Sequence, residues 1–362
     1  MRVLMLCRAT PYLPTHERAR RPAAHLIAEL AGRHALAVIA PPGCGDTPVQ
    51  RAWVASRVTR FTQPAPGPWR HPLTGAAGAG LLAMRAAALR AIWEWRPDVV
   101  HLDSGVLAPL AATLPVPAVI ADRAAAIAPR DRRLFAACVV SSEDDRRILA
   151  AHVPFDRIDV IPPGVDESRY ELRRAGERAR LIFAGHLDWP AHLDAARRLA
   201  RRILPRVRRA LPGAELVLVG AGAAGERRAL AALPGVRVAG AVADLRPSLW
   251  SAAVTVIPAE AGPGVDAAVL ESMALGTPVV AARRALAGLA HLLPGHHALV
   301  AETDAELVEA VLVILREPVV AATLAANARS VVARHYSWSA IARCYESLWA
   351  RTADGGATAV AA

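Results

Sequence analysis

Residues 262–280 read GPGVDAAVLESMALGTPVV, and they follow the apolar run VTVIP at 254–258. VTVIP predicts a strand and AAVLESMAL a helix, with Gly276-Thr277-Pro278 ending the helix and Val279-Val280 opening the next strand. Gly262 and Gly264 would let backbone amides approach a ligand closely. A helix that starts behind them presents unpaired N–H groups and a positive dipole end, which together attract a diphosphate. In open α/β sheets ligands sit at the carboxyl ends of strands, where this loop falls. Glu271, about two turns into the helix, is expected to face the same ligand.

Outward from this stretch, strand and helix signals alternate along the chain. In the first half VLMLC (3–7), ALAVIAPP (35–42), DVVHLD (98–103), PAVIAD (117–122), ACVVSS (137–142) and IDVIPPGVD (158–166) predict strands. Helices are expected at 23–34, 79–95 and 143–152, the last with Ser142 as N-cap. Residues 167–179 are polar and charged and predict a linker. A second series follows, with strands at 180–185, 215–220, 236–240, 254–258, 278–282 and 298–302. Alternation of this kind implies parallel sheets covered on both faces. The expected plan is two Rossmann-like domains, 1–166 and 180–335, facing a central cleft. An amphipathic helix at 336–352 would pack back on the first domain, and 353–362 would be a disordered tail.

The 362 residues suit two domains with cores of their own. The net charge of +11 is carried by arginine, since the chain has no lysine. That excess favours anionic partners such as phosphates, nucleotides or an acidic membrane surface. No RNA or DNA module signature appears, so arginine-rich helices such as ARRLARRILPRVRRA read as exposed faces rather than nucleic-acid readers. Cys7, Cys44, Cys138 and Cys344 form no CxxC pair, which points to a reducing cytosol. No apolar run of about 18 residues is present to span a membrane. The helix at 79–95, ending in Trp93 and Trp95, could rest on an anionic membrane face.

Four segments carry a resemblance: FAGHLDWPAHLDAARRL (183–199), VAGAVADLRPSLWSAAVTVIP (238–258), the opening stretch, and ARHYSWSAIARCYE (333–346). In order and spacing they resemble the group-1 family of GT-B-fold glycosyltransferases, closest to its exopolysaccharide-associated branch. The resemblance implies an α/β GT-B fold and retaining transfer from a nucleotide sugar to a glycan or lipid-linked acceptor, with no bound metal or cofactor. It assigns the ribose to Glu271 and sets Gly262, Gly264 and Val265 among the donor-binding residues. Gly185, His192 and Val242 join them on the donor side. The branch carries two basic residues in the loop where this chain has Asp266 and Ala268. Arginines elsewhere would then have to supply positive charge, either Arg283 and Arg284 or Arg18, Arg20 and Arg21.

The first-half strand ending VHLDS places His101 and Asp103 on one strand face, since side chains alternate. Both are candidates for catalysis, Asp103 standing near the position where the family usually has a histidine. A carboxylate there would orient a sugar hydroxyl or take a proton from the acceptor. Three other readings remain open at this point. VGAGAAGE (219–226), with Asp244 some twenty residues on, fits the dinucleotide fingerprint of an NAD-dependent oxidoreductase. The charge alone would allow a nucleic-acid binder. The altered loop would also suit a catalytically inactive relative that binds a nucleotide sugar or a partner enzyme.

Overall fold

The computed structural model describes residues 1–15, 20–43, 46–68, 78–122, 127–166, 170, 179–242, 244–258 and 267–360. The chain divides into two compact units: Met1–Pro162 with Trp338–Ala362, and Pro163–Ser337. Each is a parallel α/β sheet, which is the expected fold class. The residues between 167 and 179, expected as a linker, lie outside the described residues except Tyr170 and Ala179.

Among the described residues the first unit's sheet has seven strands: β1 (Arg2–Leu6), β2 (Ala35–Ile39), β3 (Arg60–Thr62), β4 (Val99–Leu102), β5 (Ala118–Ala121), β6 (Ala137–Val140) and β7 (Ile158–Val160). Their spatial order is β3-β2-β1-β4-β5-β6-β7, all parallel. The chain works outward from β1 and then crosses back to β4 on the other side. This reversal leaves the carboxyl ends of β1 and β4 as a topological switch point. The central strands β1 and β4 are almost wholly buried, as apolar runs in a doubly covered sheet require.

Helix α1 (Arg21–Leu30) covers one face, and helix α3 (Ala79–Trp95) packs on β1 and β2. Helix α2 (Pro48–Ala55) and the edge strand β3 are additions to the sequence expectation. The signal for α2 was the Thr47/Gln50 capping box, in which each side chain meets the other residue's backbone N–H. Ser142 caps helix α4 (Glu143–Ala150) as expected, its hydroxyl accepting from the Asp145 N–H at 3.2 Å.

The second unit's strands among the described residues are β8 (Arg180–Ala184), β9 (Glu215–Val219), β10 (Val236–Gly240), β11 (Val254–Ile257), β12 (Val279–Ala281) and β13 (Leu299–Val300). Their order is β10-β9-β8-β11-β12-β13, again parallel with one reversal, between β8 and β11. Helix α5 (Pro190–Arg198) continues through a π turn (Leu199–Ile203) into α6 (Leu204–Ala210). Pro205 explains the π turn: it has no N–H to give the preceding turn, and the Leu204 N–H bonds instead to the Leu199 carbonyl. Helices α7 (Ala224–Ala231), α8 (Arg246–Trp250), α9 (Ala267–Leu275), α10 (Arg283–Leu286), α11 (Asp304–Arg316) and α12 (Pro318–His335) complete the unit.

Helix α13 (Trp338–Val360) returns to the first unit, where it packs on α1, β4 and β5. It continues through residues 353–360, which the sequence leaves as a tail. Its own Ile341 is buried, and its Trp338 stacks on His25 with ring centroids 4.5 Å apart. Trp349 is fully buried. Trp349→Ala is expected to lower unfolding stability by about 3–5 kcal/mol, the range for truncating a buried aromatic, read from the urea midpoint.

Candidate functional site

Strand β11 and helix α9 form one edge of the second switch point. Thr255, in the middle of β11, is fully buried, and its hydroxyl lies 2.8 Å from the hydroxyl of Ser272 on α9. Ser272 also donates to the Ala268 carbonyl at 2.6 Å. Two buried hydroxyls must be satisfied, and these satisfy each other, which sets the rotation of α9 about its axis. The C-terminal end is held as well: Arg329 of α12 donates to the Ala274 carbonyl at 2.6 Å, and Gly276 takes φ +79° just past the helix.

The outcome is specific. Residues 268–270 and 272–275 of α9 are all buried, and Glu271 alone among them reaches accessible space. It sits four residues after Ala267, the first described residue of the helix. Near it lies Arg246, at the start of α8. Asp244 grips that guanidinium with contacts of 2.7–3.0 Å to Nε and Nη2. The hydrogen bond to Asp244, then its charge and those of Tyr170 and Glu271, raise the Arg246 guanidinium further above its ordinary value.

Gly262, Gly264 and Val265, with Asp266, lie outside the described residues. Gly185 follows β8 directly, and its N–H donates to the Val219 carbonyl at 2.9 Å. His192 turns its Nδ1 toward the His186 N–H, which donates to it at 2.9 Å. His186, Trp189 and His192 therefore cluster at the carboxyl end of β8, with ring centroids 5.5–5.7 Å apart. Val242 lies past β10 and is exposed. Arg283 and Arg284 start α10; the Arg283 N–H donates to Glu302 at 3.2 Å.

The glycines of VGAGAAGE have a packing role. A side chain on Gly220 would come 1.7 Å from the Gly185 carbonyl oxygen, and one on Gly222 would meet Leu187 at 2.7 Å. They let the ends of β8 and β9 close on each other. Their strand is the second of its unit, whereas the dinucleotide fingerprint opens one, so the oxidoreductase reading loses its support.

In the first unit the pair expected on one open face is divided. His101 is 1% exposed, walled by Tyr345 and Trp349 of α13 at 5.5 and 5.6 Å between ring centroids. Burial drives its pKa down to about 4. The catalytic expectation for His101 is therefore corrected: helix α13 covers the strand face that alternation assigned to it, and the ring is a neutral core residue. Asp103 lies one residue past β4, at the switch point, where it accepts the Arg8 N–H at 2.9 Å. Burial pushes its carboxyl up to about 7, against the Arg8 hydrogen bond and charge. Asp122, at the end of β5, adds a like charge and accepts the Gly105 N–H at 2.6 Å.

Arg21 opens α1. Arg20 is occupied structurally, buried against Asp46 at 2.6 Å and bonded to the Thr10 carbonyl. Arg18 is outside the described residues. Among the described residues no group of three or more metal-ligating side chains is present. Sequence patterns missed Thr255, Ser272 and Arg246. The two hydroxyls did leave a trace, as polar residues inside otherwise apolar runs.

The profile described as Glycosyl transferases group 1 matches residues 178–317, and that described as Glycosyltransferase Family 4 matches residues 20–169. Among solved structures, Anabaena Alr3699/HepE in complex with UDP and glucose is similar at TM-score 0.68 and 15% identity, over 97% of this chain and 99% of that one. Sucrose-phosphate synthase from Thermosynechococcus elongatus gives TM-score 0.68 at 16% identity, over 97% and 99%. A glycosyltransferase from Rickettsia africae gives 0.68 at 11%, over 97% and 98%. At these identities the likeness establishes the fold. Among curated proteins none matches the chain.

The buried His101 makes a stability prediction. Between pH 6.5 and 4 the unfolded chain takes up a proton on His101 that the folded chain refuses, so folding stability falls as the pH drops through that window. The full effect is about 3 kcal/mol. His101→Leu is expected to flatten the decline of unfolding free energy over this range; an unchanged slope would show that the ring is not held neutral.

Proposed function

Because the chain belongs to the group-1 glycosyltransferases of GT-B architecture, we propose that it moves a sugar from a nucleotide-sugar donor to a polysaccharide or glycolipid precursor. The observation that carries this reading is Glu271, the single accessible side chain among the described residues 268–275 of α9, at a topological switch point. Its carboxylate accepts hydrogen bonds from the ribose hydroxyls of the donor. The diphosphate takes the backbone amides of the Gly262–Gly264 segment, with the α9 dipole behind them. Bound UDP in the HepE structure is consistent with such a donor.

Positive potential that stabilises the departing diphosphate contributes most to the rate. Arg283 and Arg284 open α10 after β12, and Arg246 opens α8 after β10. Transfer retains anomeric configuration and proceeds without a bound metal. In the first unit Asp103 orients a sugar hydroxyl or takes the acceptor's proton, which requires the ionised carboxylate. The enzyme works at the cytoplasmic face of an anionic membrane. Trp93 is 85% exposed on α3, on a surface shared with Leu82, Arg85 and Arg90, and no helix of the described residues is long and apolar enough to cross a membrane.

A panel of nucleotide sugars, assayed for nucleoside diphosphate release and glycosylated acceptor, tests the reading directly. Binding without either product would instead identify an inactive relative. With Asp103 titrating at about 7, kcat/KM is expected to rise with pH and level off above that value. Asp103→Asn removes the rise and lowers the plateau by about 10²-fold or more. A wild-type profile flat from pH 6 to 8 would exclude Asp103 as the proton acceptor.

A further inference from the structure

Cys7 stands one residue past β1 and is completely buried, in a cluster with Val3, Met5, Ile27 of α1 and Trp349 of α13. Beside it runs β4, in parallel register with Leu6 opposite Leu102. Continuing that register by one residue sets Cys7 alongside Asp103. The backbone is tied on both sides: the Cys7 N–H donates to the Ile39 carbonyl at 2.9 Å, and the Asp103 N–H to the Leu6 carbonyl at 3.1 Å. The side chains meet as well. The Cys7 thiol donates to the Asp103 carboxylate, and the N–H of the next residue, Arg8, donates to its Oδ1 at 2.9 Å. Two consecutive residues at the exit of β1 therefore grip one carboxylate.

A thiol suits this place. It is compact and nearly apolar, so it fits a hydrophobic cluster, yet it carries one S–H donor. Burial, then the charge of Asp103 and the hydrogen bond to it, push the Cys7 thiol well above its ordinary value. It therefore stays protonated and acts as a donor rather than a nucleophile. For Asp103 the contributions oppose one another. Burial raises its carboxyl most, the Arg8 N–H and charge and the Cys7 S–H pull it down, and the Asp122 charge at the end of β5 raises it again. On its own strand His101 lies neutral under α13.

We propose that Cys7 is a positioning residue for Asp103: its buried S–H, with the Arg8 N–H, fixes the carboxylate at the carboxyl end of β4 and favours its ionised form. The inference rests on the proton-acceptor reading of Asp103 given above. Cys7 is walled off from solvent and acts through Asp103 alone. A donor that binds the carboxylate better than the neutral acid lowers its affinity for a proton. Losing the S–H therefore raises that affinity, and less of Asp103 is ionised at a given pH.

The test is the pH profile of kcat/KM in Cys7→Ala, which loses the donor, beside Cys7→Ser, which keeps one. In Cys7→Ala the rise is expected to move up by about 0.5–1 pH unit, so that kcat/KM at about pH 6 falls a further three- to tenfold below its own plateau. Cys7→Ser, with a stronger donor, keeps the midpoint at or below that of the wild type. An unmoved midpoint in Cys7→Ala, or one raised equally in both variants, would overturn the proposal. The infrared S–H stretch, read as the difference between wild type and Cys7→Ser, follows the same contact without turnover. It is expected below the frequency of a non-bonded thiol and to shift as Asp103 titrates near 7. Asp103→Asn abolishes that shift, and a wild-type band that ignores pH refutes the contact. Should Cys7→Ala not fold, the Cys7→Ser midpoint and the band decide, and a raised midpoint counts against the proposal. If the wild type transfers no sugar, the Asp103 reading fails by itself. The band then still decides whether Cys7 holds the carboxylate.

Discussion

The second unit depends on one buried contact, the Thr255–Ser272 hydroxyl pair between β11 and α9. An apolar helix on an apolar sheet can slide and rotate at little expense, because hydrophobic contact is non-directional. A polar pair in the same interface cannot, since misalignment takes the buried Thr255 hydroxyl away from its partner in the core. With Ser272 turned toward β11, the adjacent residue is rotated about 100° away by the helix period. That residue is Glu271, and the rotation is what keeps a carboxylate out of the apolar core and available at the strand ends.

The two units share one topology and use it differently. Each sheet reverses direction once, which opens a crevice at the carboxyl ends of two adjacent strands. In the second unit glycine contacts between β8 and β9 and the Arg198 guanidinium, which donates to the Pro258 and Glu302 carbonyls, draw the strand ends together. In the first, helix α13 returns from the far end of the chain and covers β4 with Tyr345 and Trp349, so the core takes His101 and leaves Asp103 at the edge. The first unit thus takes part of its core from helix α13.

The strands were legible because parallel sheets buried on both faces demand short apolar runs, and VLML, LVLV and VTVI are such runs. β3 was not, since an edge strand of three residues, RFT, is only partly buried and need not be apolar. Glu271 stood out as a lone charge in an apolar helix. His101 was misplaced because strand alternation specifies a face but cannot tell what covers it, and here the cover lies some 240 residues away. Arg198 was invisible for a related reason. Nothing local separates it from the other arginines of its helix, and only the folded chain brings Pro258, Glu302 and Asp304 to it.

Calorimetric titration of wild type and Glu271→Ala with the nucleotide sugar that turns over best is the most direct measurement. Loss of about tenfold or more in affinity, about 1.4 kcal/mol, with Tm unchanged, is the predicted result. Equal affinity in the two proteins would contradict a ribose-binding role for Glu271, and with it the placement of the donor at the carboxyl end of β11.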